Sequence, residues 1–511
     1  MSIAGAEYSG KSELVEMAER INELEQFVRQ AAETGMALRD VERGIFDRLL
    51  PVGHSCTKMF IALQGDGDLG ETTSTDDGRT LHRSEEPVTR PLRTIFGEHE
   101  FHAYVYRVRK HPNTPIALRP VDDRMSLVPG RWSHLLEEFS QLFCIEEAYE
   151  TGAEAFERIF RQRLSVDTLE RVNRRMGAEA AEFMDALEPP AAEEEGELLV
   201  LTADGKGVPM VQADADRLRT FEERPARPGN RRMATLAGVY SVDRHVRTPE
   251  EIVAALFRDV YEEPRPAAPR PEPRHKRIVA RFPQVFEDAD ETLSISGPIA
   301  AMSWAAREVD QRRRPGQTLV CLMDGQPSLW NAADVCLESV PGDERIEILD
   351  VVHVASYVWR AAKVLHSHRE HQEAFARERL RRILEGDVAG VVRGLRSMAT
   401  RRGLQGNDRR EIDTVCGYFT THAGRMRYDE YLAAGCPIAT GVIEGACRHL
   451  VKDRMERSGM RWTVTNAQAM LDLRALHQSS YWDEFQQQRT EKIRQSRQLT
   501  QPPPCHPLLA G

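Results

Sequence analysis

The spacing of apolar positions changes several times along the chain, and each change marks an element. In "KSELVEMAERINELEQFVRQAAETG" they recur three and four apart, which predicts helix over residues 11–50. From about 60 to 130 the apolar runs are short, as in "FHAYVYRVR", and are broken by glycine, proline and Asp-Gly turns. That pattern predicts a small β-rich module. Helical spacing returns over 131–187, where "AYETGAEAFERIFRQRLSVDTLERVNRRMG" gives a helix, a break and a second helix. Ser165 is placed to cap the second helix, and Asp167 falls in its positive first turn. Arg171, Arg174 and Arg175 can share a face of it. Both a solvated helix pair and a helix-turn-helix DNA reader fit.

Beyond residue 197 strand signals alternate with helical ones. Strands are predicted at 198–203, 231–244, 277–282 and 318–323, with a further one in "RIEILDVVHV". Helices are predicted over 294–313 and from Pro327 to Glu338, then through most of the arginine-rich stretch 355–435, and last over 441–457. The proline-rich "EEPRPAAPRPEPRHKR" (262–277) cannot hold a strand ladder and reads as an exposed excursion. The fold class predicted is α/β, a mixed sheet covered by helices.

Two of the strands raise a chemical question. "TLVCLMDGQPSLWN" (318–331) runs through five consecutive apolar residues, Leu319 to Met323, and then delivers Asp324; "GELLVLTADGKG" (196–207) does the same at Asp204. One strand ending in Asp-Gly is ordinarily just a turn. Two on adjacent strands, about 4.8 Å apart, would bring two carboxylates together. Paired anions need a compensating cation, and magnesium favours carboxylate oxygens. Asp350 also ends a predicted strand and rivals Asp324. A third acid, Glu444, lies near the start of the 441–457 helix. At 100° per residue Glu444, Arg448 and Lys452 fall within an 80° stripe, although ordinary i,i+4 pairing would produce the same spacing.

Composition narrows the options. With 511 residues, several compact units are expected. No apolar run approaches the roughly 18 residues of a membrane helix. The start, "MSIAGAEYSGKSELVEM", has no basic stretch leading into an apolar core, so no secretory signal is expected. The eight cysteines include no Cys-x-x-Cys pair, which points away from disulfides and structural zinc and toward a reducing cytoplasm. Net charge is −11, yet residues 360–427 hold 15 Arg or Lys against 8 Asp or Glu. The acidic run "AEFMDALEPPAAEEEGE" (181–197) reads as a solvated linker.

The segments "TADGKG", "LMDGQPSLW", "DVVHVASYVWRAA" and "GVIEGACRHLVKDRMERSGMRW", in that order, resemble the catalytic blocks of DDE transposases with an RNase H-like core. The nearest likeness is to the ISKra-type insertion-sequence family, over most of residues 197–480. The resemblance implies an RNase H-like core over 197–355, a helical insertion over 356–436 and the last core helix over 437–462. A C-terminal tail region (463–511) follows, and regions 1–60, 61–130 and 131–190 precede. It implies catalytic Asp204, Asp324 and Glu444, each a metal ligand, with two Mg2+ or Mn2+ ions and Asp204 bridging them. His353, with Asp350 in an Asp-x-x-His element, would help place the DNA strand. Arg448, Lys452, Arg454, Arg457 and Arg461 would neutralise phosphates and Trp462 would stack on a base, as alternatives to a buried aromatic and solvated charges. Arg401, Arg402, Arg409 and Arg410 would line a DNA path along the insertion. The partners implied are double-stranded DNA and further copies of the chain, as a homodimer or higher oligomer, in the cytoplasm and nucleoid-associated when bound. Relatives often carry cysteine pairs in the N-terminal region; here only Cys56 and Cys144 precede residue 200. A nuclease or resolvase that cuts without joining, and a non-catalytic DNA-binding descendant, fit the same residues.

Overall fold

The computed structural model describes residues 3–75, 78–111, 113–127, 130–219, 229–258, 270–287, 292–342, 344–457 and 459–495. Half of the proline-rich spacer (262–269) and residues 496–511 of the tail lie outside these, and the spacer's last residues, expected to hold no ladder, begin a strand at Arg274. The chain forms two compact units, Met1–Val172 with Trp482–Gly511, and Asn173–Tyr481. Among the described residues no helix is long and apolar enough to cross a membrane.

In the first unit the single helix expected over 11–50 is two, Ile3–Thr34 and Leu38–Ala62. Gly35 ends the first at φ +62°, a left-handed conformation that glycine adopts without a Cβ clash. Strands Thr72–Ser74, Thr80–Arg83 and Tyr106–Arg107 make one small sheet, and Val88–Thr94 pairs antiparallel with Gly97–Ala103. The helix Trp482–Gln495 belongs to this unit, and its Arg489 makes a buried ion pair with Glu137 at 3.1 Å.

His99, in the hairpin, is 7% exposed, stacks on His54 at 4.4 Å between centroids, and lies 3.1 Å from the Thr94 hydroxyl. Burial, then the neighbouring His54 and Lys58, push its pKa down to about 4. The unfolded chain, with an ordinary imidazole, therefore takes up the proton first as pH falls. Stability present above pH 6.5 is lost on descending toward 4, by up to about 3 kcal/mol. Urea unfolding at pH 7 and at pH 4.5 should show this drop in the wild type, and His99→Gln should remove most of it.

The second unit is built on a five-stranded sheet: β1 (Leu198–Pro209), β2 (Arg231–Val242), β3 (Arg274–Arg281), β4 (Thr318–Met323) and β5 (Arg345–Leu349). Their order is β5-β4-β1-β2-β3. β5, β4 and β1 are parallel, while β2 and β3 continue the sheet antiparallel. β4 and β1 are almost wholly buried and apolar up to residue 203, as strands covered on both faces must be. The acidic run expected to be a solvated linker is partly inside. Glu195 is buried against Arg312 at 2.7 Å, and Arg312 and Arg277 both reach Glu308. Arg312 and Glu308 lie on helix α1 (Gly297–Arg312), which Ser296 caps.

Helix α2 (Pro327–Cys336) follows β4. The strand expected through "RIEILDVVHV" stops at Leu349. Asp350 accepts the His353 amide at 3.0 Å and so caps helix α3 (Val351–Leu365). The arginine-rich stretch then forms helices Arg369–Leu384, Val388–Arg401, α4 (Gly406–His422) and Tyr428–Ala433. It shares one continuous core with the sheet: Val391, Leu395 and Phe419 cluster with Val320, Leu322 and Ile348. The continuous helix expected over 441–457 is α5 (Gly441–Ala446), a π-helical stretch Cys447–Lys452 and one turn Asp453–Met455. Arg474, buried on helix α6 (Val464–Gln478), donates to the carbonyls of His449 and Leu450 within that π stretch. A buried guanidinium thus takes up acceptors that the changed helical pitch displaces.

Candidate active site

The sheet's register brings three acids together. Met323 of β4 is level with Ala203 of β1 and with Leu349 of β5. The next residue on each of the three parallel strands is an aspartate: Asp204, Asp324 and Asp350. The expected tip at Asp204 is corrected here. β1 continues to Pro209, with Asp204 paired to Leu236 of β2, so its carboxylate sits where β4 leaves β1 rather than at a strand end. Asp324 does follow the last residue of β4. Its Oδ1 accepts the Gln326 amide at 2.8 Å, and its carbonyl accepts the Trp330 indole N–H at 2.6 Å.

Asp350 differs in kind from the other two. It is fully buried; its Oδ1 accepts the Thr440 amide at 3.0 Å while Oδ2 accepts that of His353. It therefore ties the segment leading into α5 to the end of β5, and α5 carries Glu444, whose amide bonds the Thr440 carbonyl at 2.9 Å. His353, expected at a strand end, lies in the first turn of α3. Its Nδ1 is 3.3 Å from Asp350 Oδ2 and its Nε2 is 3.8 Å from Asp324 Oδ2.

The electrostatics follow from this crowding. Burial foremost raises the Asp324 pKa, Asp204 and Asp350 add to it, and the Gln326 amide and His353 oppose it. Burial also raises Glu444, with Asp350 and Asp204 adding and His353 opposing. His353 moves up, chiefly through its contact with Asp350. One imidazole faces four carboxyl groups, so the site carries uncompensated negative charge. Asp350, His353 and Glu444 each offer a ligand atom, all within 4.8 Å of one another. That group differs from the expected metal set of Asp204, Asp324 and Glu444: it takes in the fully buried Asp350 and an imidazole nitrogen, and shares only Glu444 with it.

Two neighbours carried no signal in the sequence reading. The Cys447 thiol donates to Asp204 Oδ2 at 3.2 Å; it is three residues after Glu444, and only that spacing could have indicated it. Gly325 leaves room for Tyr418 of α4, since a Cβ there would lie 2.5 Å from the tyrosine ring. The Asp-Gly pair is thus a close-approach site as well as a turn.

The expected DNA contacts divide. Arg448, Lys452 and Arg461 are exposed, and the Arg457 Nε donates to the Asp453 carbonyl at 3.0 Å. Arg454 and Trp462 are corrected. Arg454 is fully buried with its guanidinium 5.0 Å from the Trp462 ring centre, and the buried Trp462 donates its indole N–H to the Met455 carbonyl. Neither reaches a phosphate or base while this packing holds. The Glu444–Arg448–Lys452 stripe presupposed 3.6 residues per turn, which the π stretch abandons. Arg401 and Arg410 are exposed, Arg402 donates to the Leu365 carbonyl, and Arg409 pairs with Asp413 at 3.0 Å. Much of the local positive excess is likewise compensated, as in Arg360–Glu411 and Arg425–Glu347. In the possible DNA-reading helix, Val166–Asp185, Arg174 bonds Asn466 at 2.9 Å and Arg175 faces Glu179 at 3.7 Å.

Asp350→Ala tests the anchoring role. It removes a helix cap and strands a buried Thr440 amide, so unfolding free energy should fall by about 2 kcal/mol or more. Urea denaturation checks this; an unchanged midpoint would leave Asp350 as a dispensable acid. The chain matches no protein-family model, and no curated protein matches it significantly.

Proposed function

We propose that the chain is a DDE transposase of the ISKra type with an RNase H-like core, which cuts and joins DNA at insertion-sequence ends. The observation that carries this is the register of Asp204, Asp324 and Asp350 on three adjacent parallel strands, with Glu444 brought over them by a helix that Asp350 anchors. A rigid sheet that gathers four carboxyl groups against one histidine is costly to the fold unless a cation joins it. Asp204, Asp324 and Glu444 would hold magnesium, and Asp350 would position His353 and Glu444. When bound, the metal supplies activation of an attacking oxygen and neutralisation of charge at phosphorus. His353, 43% exposed between Asp350 and Asp324, can donate from Nε2 to a phosphate oxygen and orient the strand. Lys452 and Arg461, and Arg448 beside Asp453 at 3.9 Å, are exposed and would meet backbone phosphates. A multimer acting on DNA, in the cytoplasm, completes the reading.

The test is incubation of the purified chain with a labelled DNA duplex ending in the element's terminal sequence, in magnesium. Cleavage at the end followed by joining to target DNA is the expected result. Cleavage without joined product identifies the nuclease or resolvase instead, and binding without either identifies a non-catalytic DNA-binding protein.

A further inference from the structure

A second site lies on another face of the helix that carries Glu444. β3 is an edge strand, and part of its free edge is covered by side chains of the α6 region. Ser479 accepts the Ile278 amide at 3.1 Å, and Gln468 spans the Ala280 carbonyl at 2.8 Å and the Phe282 amide at 3.2 Å. That protection ends at Ile278. Just before it the ladder slips: Arg277 pairs with Val239 and Arg274 with Ser241, leaving His275 and Lys276 opposite Tyr240 alone. His275 sits at φ +46°, a left-handed conformation uncommon outside glycine. A bulge of this kind re-aims side chains. Here both bulged residues line a cavity of about 730 Å3.

The opposite wall is Gly441, Gly445 and His449. A Cβ at either glycine would meet nothing within 4 Å among the described residues. Ser480, at φ +65°, closes one end. The lining carries one lysine, Lys276, one acid, Glu272, and two imidazoles, His275 and His449, each of which already has a carboxylate beside it. Glu194 is 3.8 Å from His275, and Asp453 holds His449 at 3.1 Å. Lys276 is half-buried and has no ion-pair partner among the described residues. Its volume lies in the range of small-molecule sites. A half-buried lysine with no ion-pair partner among the described residues, beside a glycine wall that none of them fills, leaves a cation and a space for a ligand.

We propose that this cavity binds a phosphate-bearing small molecule of mononucleotide size, with Lys276, His275 and His449 around the phosphate. The site is distinct from the acid cluster and does not depend on the transposase reading. The experiment is isothermal titration and thermal melting of the full chain without divalent metal, using AMP, ATP and inorganic phosphate as probes. It is run in the wild type and in an Asp204→Asn background, which shows whether the acid cluster contributes. Saturable AMP or ATP binding in both is expected, with a melting rise on the order of 4 °C at a hundredfold excess over Kd. Lys276→Gln with His449→Gln should melt as the wild type does when no ligand is present, and should lose that binding at least tenfold. Binding that survives both substitutions overturns the proposal, as does absence of saturable binding up to millimolar probe. A single-stranded oligonucleotide that needs the same two side chains while AMP does not bind overturns it too, by making the cavity part of a nucleic-acid path.

Discussion

Asp204→Asn should lower magnesium-dependent DNA cleavage by at least about a thousandfold while leaving the melting temperature and DNA affinity close to the wild type's. The side chain keeps its size and its amide oxygen can still accept the Gly205 N–H, while the NH2 turns to the Cys447 sulfur, which can accept it, so the local packing has little reason to change. What is lost is the charge that would hold metal where β4 departs from β1. DNA binding should tighten slightly if it changes at all, since one anion near the phosphates has gone. Asp324→Asn and Glu444→Gln should follow the same pattern, because both carboxyl groups are half-open and carry no structural load comparable to Asp350's. Relief of mutual repulsion should even stabilise the metal-free protein a little in these variants. The three measurements are a cleavage time course, an equilibrium binding titration and a melting curve, made side by side. Variants that still cut in magnesium would show that these carboxylates serve another purpose, and variants that melt early would show that they hold the fold.

The contrast with Asp350 explains which parts of the site could be found from sequence. A short apolar run closing on Asp-Gly is visible along the chain, and Asp324 stands where that pattern puts it. Asp204 was reached by the same pattern although the strand does not end there. β1 is long because β2 pairs with it over its whole length, and that partner cannot be seen from residues 198–207. Asp350 reads as a strand end because "RIEILDVVHV" carries β-branched residues on both sides of it. The capping bond to the His353 amide, which turns the chain into a helix, is a local competition that apolar patterning does not register. The helical spacing of residues 441–457 gives no sign of the π stretch, whose displaced carbonyls are taken up by Arg474, more than twenty residues on. Burial of Arg454 and Trp462 is equally a tertiary outcome, since a basic, aromatic helix end has the same sequence whether it faces solvent or stacks on itself. The strand order that sets all three aspartates level comes from long-range pairing and appears in no single segment.

The same sheet depends on a buried charge network, and Glu308→Ala should show how much. Glu308 is 4% exposed and lies 3.1 Å from Arg277 and 3.5 Å from Arg312, both of them buried. Arg312 retains Glu195, and Arg277 retains the Tyr481 hydroxyl and the Glu188 carbonyl. Removing Glu308 therefore leaves Arg312 with Glu195 and the buried Arg277 with no acid among the described residues, at the junction of α1, β3 and the run before β1. Breaking one partner from a buried ionic cluster costs about 3–5 kcal/mol, far more than the pair itself contributes over an apolar replacement. The exposed pair Arg381–Glu385 supplies the control: Glu385→Ala should change stability by less than about 1 kcal/mol. Urea unfolding of both variants decides between them. A midpoint for Glu308→Ala as mild as the control's would mean that water reaches these arginines and that the junction is looser than its geometry indicates. The expected large loss would instead mark this network as what holds the α1–β3 junction together, and magnesium-dependent cleavage by the surviving folded fraction should then be normal per folded molecule.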